Sequence, residues 1–127
     1  MVSMSNRVYL NSDGIIEIEV IGDQTVPSVE AMGRQTDSFI TQLKAVGKPC
    51  LILDNLLQIG KVGPEARREV VDVASRLDFD RAAMLGQGGM MRFGANLMLR
   101  ATGRAYKMRY FDRREDAVKW LLDEDEE

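Results

Sequence analysis

The side chains able to do chemistry are few, and the types that are missing narrow the field first. The chain has no histidine and one cysteine, Cys50. Without histidine there is no Ser-His or Cys-His nucleophile pair, and the commonest general base and metal ligand are both gone. One thiol can build neither a structural zinc site nor an internal disulfide, which points to a reducing, cytoplasmic compartment. Carboxylates, amides and guanidinium groups remain.

Three groupings of these invite a functional reading. Glu17 and Glu19 alternate along a β-rich run. Paired carboxylates can serve acid–base work, but nothing nearby would tune these two, so they are expected to face solvent. Asp54 and Asn55 follow the apolar run Cys50–Leu53 and are read as lying at the C-terminal end of a buried strand, where open α/β sheets place their ligands. The third grouping is the turn Gly86-Gln87-Gly88-Gly89, between a strand and a helix. It is not GxGxxG, since Met91 takes the last glycine's place, and a tight turn needs glycine without any phosphate.

Taken together, Asp54, Asn55, Lys61, Gln87 and Arg92 are the polar groups expected along one sheet edge. Free N–H groups at the helix starts there would favour an anion or a carbonyl oxygen. Beside them stands an apolar set. Met84, Met91, Phe93 and Leu99 are candidates for an exposed patch or a pocket, because Met91, Phe93 and Leu99 fall off the main stripe of their helix. Methionine suits irregular apolar binding surfaces, though filling gaps in a core is its commoner use.

Net charge is −3, unevenly placed. Residues 92–119 hold eight basic side chains against three acids, and Asp123 to Glu127 are all acidic. A solvated basic surface, partly neutralised by the tail, accounts for this without nucleic acid. The chain reads as one domain over residues 1–122, with a tail over 123–127 that frays because negative charge opposes the dipole at a helix C-terminus. No apolar run approaches the roughly 20 residues that span a bilayer, and the first residues lack a signal-peptide core.

The elements that must position these residues follow in order. Two β-rich runs around Asn11-Ser12-Asp13-Gly14 predict a hairpin. Val29, Met32, Thr36, Phe39, Ile40, Leu43 and Val46 repeat at helical spacing, and Pro27 and Gly47 bracket them. A central strand, a turn from Gly60 to Gly63, and a helix from Pro64 to Leu77 come next. Then follow a strand ending at Gly86, a helix to Thr102, and a last strand to Phe111. Asp112 as N-cap with Glu115 predicts a capping box for the final helix. The expected fold is a small two-layer α/β sandwich, β-β-α-β-α-β-α-β-α, with a mixed, mainly parallel sheet, an N-terminal β-hairpin and four helices.

This layout, closing on Tyr110-Phe111-Asp112 and Glu115-Asp116-Ala117-Val118-Lys119-Trp120-Leu121, resembles the SpoIIAA-like branch of the STAS superfamily. The resemblance implies a non-enzymatic regulatory domain that binds a protein partner, or a cradle for an apolar small molecule. STAS antagonists of anti-sigma factors carry a phosphorylatable Ser or Thr at the start of the helix after the central strand. Residues 54–74 here contain neither. The primary expectation is therefore a protein-interaction domain without that switch, with a homodimer as one form of it. A binder of an apolar or amphipathic, lipid-like molecule is the alternative, and a nucleotide-dependent enzyme a distant third. No catalytic residue, metal, cofactor or nucleic-acid partner is expected.

Overall fold

The computed structural model describes residues 5–123. Strands β1 (Arg7–Leu10) and β2 (Ile16–Gln24) form the predicted hairpin, with Gly14 at φ 77° in its turn. That left-handed conformation is open to glycine at little cost. Helix α1 (Val26–Ala45) follows, then β3 (Leu51–Val62), α2 (Pro64–Arg76), β4 (Arg81–Leu85), α3 (Gly89–Ala101), β5 (Met108–Phe111) and α4 (Arg114–Leu122). A single 3₁₀ turn at Ala105–Lys107 precedes β5. The acidic residues from Glu124 on, expected to fray, lie outside the described residues.

The five strands stand in chain order, β1-β2-β3-β4-β5, antiparallel in the first pair and parallel in the rest. This order explains where the helices go. Right-handed crossovers that always step the same way carry every connecting helix to the same face. Helix α1 packs there on Ile16, Ile18 and Val20 of β2, α2 adds Ala66, and α3 turns Met98 toward the same side. Among the described residues only α4, which follows the last of these strands, covers the opposite face. Its Ala117, Trp120 and Leu121 meet Leu51, Leu53, Ala83 and Leu85. The helices thus divide three to one, and α4 adds a partial third layer.

The α1 stripe is buried at Val29, Met32, Thr36, Ile40 and Leu43, but Val46, expected with them, is 65% exposed. The helix has already ended at Ala45, so Val46 leaves the periodic face. A capping box does form in this chain, at α1: Thr25 Oγ1 accepts from the Ser28 N–H and Ser28 Oγ from the Thr25 N–H. At α4 the predicted box is absent. The N-cap is Arg113, while Asp112 pairs with Arg92 and Glu115 with Arg113.

The largest departure is β3. The strand expected to end near Asn55, before a turn from Gly60 to Gly63, continues for seven more residues, pairing Gln58, Ile59 and Val62 with β2. Gly60 is therefore a strand residue. A Cβ there would stand 2.8 Å from backbone atoms of Gly22 and Asp23. Glycine is required by this close approach of β2, whose own Gly22 sits at φ 73° beside a register shift.

Candidate functional site

Strand alternation decides which polar residues can meet. Ile52, Asp54 and Leu56 point to the face of α1 and α2; Leu53 and Asn55 point to the face of α4. Beneath α1 and α2 the side chains do not fill the space completely, and a cavity of about 150 Å³ remains. Its walls are Ile18, Val20 and Ile52 from the sheet, Val70 and Val73 from α2, and Phe79 before β4. Four thioethers complete the lining, from Met32, Met84, Met98 and Met108. The roof is tight where Gly33 of α1 meets α2, since a Cβ on Gly33 would stand 2.9 Å from Val73 Cγ1. Gly33 is thus the point at which α1 packs on the neighbouring helix.

Three polar side chains reach this cavity. Gln24 is engaged by Asn6, Ser28 and the Ile21 and Gly22 carbonyls, and the Thr36 hydroxyl donates to Met32 O at 2.8 Å. Asp54 is different. No hydrogen bond or ion pair holds its carboxyl among the described residues, and no lysine or arginine lines the cavity. Burial pushes this carboxyl up to about 7, because nothing offsets the loss of water around its charged form.

The remaining polar residues expected on one edge do not converge with Asp54. Asn55 lies on the other face, where its Nδ2 donates to Glu17 Oε2 at 3.4 Å. Lys61 is six residues further along β3, roughly 20 Å at strand rise. It is exposed there, and its N–H donates to Asp23 Oδ1 at 2.7 Å. Gln87 is exposed in the turn before α3. Arg92 sits 4.9 Å above the Tyr110 ring and pairs with Asp112. Of the apolar candidates, Met84 lines the cavity and Met91 is half-buried near Tyr110 and Gly86. Phe93 is 68% exposed, whereas Leu99, expected in the same patch, is buried at 6%. The exposed stripe of α3 is Met90, Phe93 and Leu97, because α3 turns Ala95 and Leu99 inward.

A second polar cluster was not anticipated. Glu17, expected to face solvent, is 2% exposed and accepts from Asn11, Asn55 and both outer nitrogens of Arg114. Burial alone would raise its pKa, but the bonds from Arg114 and Asn11 outweigh that and hold it below the ordinary glutamate value. Every Glu17 oxygen is satisfied, so this cluster fastens α4 to the sheet. Among the described residues no group of three or more metal-ligating side chains gathers anywhere.

The family model for SpoIIAA-like domains matches residues 15–122. The chain belongs to the SpoIIAA-like family. Two solved structures share the fold of this SpoIIAA-like protein. One is an uncharacterised protein of the DUF3478 family with a SpoIIAA-like fold, from Shewanella loihica PV-4. It is 19% identical, with TM-score 0.67, over 95% of this chain and 98% of that one. The other is the anti-sigma factor antagonist SpoIIAA in its unphosphorylated form, 15% identical, with TM-score 0.54, over 88% and 92%. No functionally curated protein matches the sequence. At these identities the likeness concerns the fold, and the family's five-stranded mixed sheet with four helices is the architecture seen here.

Proposed function

We propose that this SpoIIAA-like domain is a non-enzymatic module that takes up a small apolar molecule in the cavity beneath α1 and α2. The observation that carries this reading is the cavity itself: about 150 Å³, walled by aliphatic and thioether groups. A largely apolar cavity of that size can hold a benzene-sized guest. Methionine lets the walls adapt to such a guest. The size favours a compact molecule over a long acyl chain. The start of α2 supports the same direction, since Gly63 and Pro64 occupy it and no serine or threonine lies between residues 54 and 74. A phosphoryl switch at that point has no hydroxyl to act on.

The test is methionine-methyl NMR with toluene as probe. Signals of Met32, Met84, Met98 and Met108 should shift saturably, while that of Met90, 92% exposed on α3, should not. Saturating toluene that moves none of the four cavity methyls would sink the reading.

A second reading rests on the outer face of α3. Met90, Phe93 and Leu97 are 92%, 68% and 51% exposed at helical spacing, an apolar stripe suited to a second copy of the chain. Light scattering should then show dimers at high concentration, and Phe93→Ser should return them to monomers. A monomer under all conditions excludes it.

A further inference from the structure

Resting on the cavity reading, we infer that the guest is a cationic amine carrying one aromatic ring, with its ammonium group donated to the Asp54 carboxylate. The argument starts from what the cavity offers. Its hydrocarbon and thioether walls can reward an apolar body of one ring, since the volume of about 150 Å³ matches a guest of that size. Met32, Met84, Met98 and Met108 bring four sulfurs to the lining, and thioethers gain from contact with aromatic ring edges. An aromatic guest therefore gains more than an aliphatic one of equal volume.

The head group is decided by Asp54. Gln24 and Thr36 already have their partners, so Asp54 is the lining group left with unspent hydrogen-bonding capacity. No cation lines the cavity among the described residues. A carboxylate or phosphate head group would have to share the Asp54 proton or meet a like charge, with no cation among the described lining residues to offset its own burial, which is disfavoured. An alcohol could hydrogen-bond to Asp54, but a bond assisted by full charge is roughly twice as strong as a neutral one. The balance also depends on how readily Asp54 ionises. Burial leaves it titrating near neutrality, so giving up its proton to accept an ammonium partner costs little there.

Four probes of the same ring separate the possibilities: benzylamine, benzyl alcohol, toluene and benzoate, titrated calorimetrically into the full chain at neutral pH. Benzylamine should bind at least tenfold more tightly than benzyl alcohol or toluene, and benzoate should be the weakest. In Asp54→Asn, which is close to isosteric, benzylamine should lose that advantage while toluene binds as before. Toluene binding with no preference for benzylamine overturns this inference and leaves the cavity reading standing. So does a preference for benzoate, or an amine preference that survives in Asp54→Asn. Binding of none of the four overturns both. The comparison among probes in the parent protein stands even if the variant folds poorly.

Discussion

Arg114 reaches from the first turn of α4 to both oxygens of Glu17 on β2, a forked ion pair between residues 97 positions apart. Glu17 is 2% exposed, while the Arg114 side chain is 46% exposed. Losing Arg114 would leave a buried carboxylate with only two amide donors, which is expensive because desolvation is no longer offset. Arg114→Ala should cost about 2 kcal/mol by urea denaturation, the half-exposed arginine tempering the value for a fully buried pair. Arg114→Ala combined with Glu17→Gln should cost less than Arg114→Ala alone. The sign with pH follows from Glu17 titrating below its ordinary value. Its stabilising effect is present above the unfolded glutamate range and is lost as pH falls through the folded value. In Arg114→Ala that acid-side loss should shrink.

Asp54 contributes with the opposite sign. Its carboxyl is raised from 3.8 to about 7, so the folded chain holds a proton that the unfolded chain releases. Between these two values stability falls as pH rises, and above about 7 the penalty is constant. Asp54→Asn should therefore match the parent near pH 4 and exceed it near pH 8 by about 1–3 kcal/mol, less than the full shift would give because Asp54 keeps some exposure. Urea midpoints at the two pH values check this. Equal midpoints at pH 8 would show that Asp54 ionises freely in the folded protein.

Two glycines should respond in opposite ways to alanine. At Gly60 the new Cβ would press on backbone atoms of Gly22 and Asp23 at 2.8 Å, and backbone cannot swing aside. Gly60→Ala should destabilise by about 2 kcal/mol or more. Gly94, inside α3, has nothing within 4 Å of that position. Gly94→Ala should stabilise by about 0.5–1 kcal/mol through helix propensity. Paired thermal melts decide both.

Cys50 is 1% exposed, and burial raises its thiol above the ordinary cysteine value. Its sulfur lies 3.7 Å from the Ile40 carbonyl. A disulfide reagent such as 5,5′-dithiobis(2-nitrobenzoate) should leave the native protein unmodified for hours and react at once in urea. Rapid labelling without denaturant would contradict this placement.

Element order and the α1 stripe were legible because hydrophobic period and turn chemistry act locally. The hairpin at Asn11–Gly14 and the α2 start at Pro64 needed no tertiary information. The length of β3 was not legible. Gln58, Gly60 and Lys61 have the composition of a loop, and what makes them strand is pairing with β2, a neighbour remote in sequence. The burial of Glu17 was hidden for the same reason, its decisive partner lying 97 residues away. Asp54 is a subtler case. Alternation from Ile52 already placed it opposite Asn55, so the two could not share a site on one face, and its position between Ile52 and Leu56 signalled an apolar surrounding. Asp112 failed as a cap because Arg92, brought alongside by the α3–β5 packing, claims its carboxylate.

The strand order has a consequence for how the chain is made. Because β1 to β5 lie side by side in the sequence in which they are synthesised, each strand after the hairpin can add to an edge already standing as it leaves the ribosome. No strand must be inserted between two others. Helix α4 emerges after all five strands and meets a sheet face that is complete, with Glu17 waiting beneath it. Until Arg114 arrives that carboxylate stays open to water, so the final helix acts as the latch on an assembly that grows in one direction.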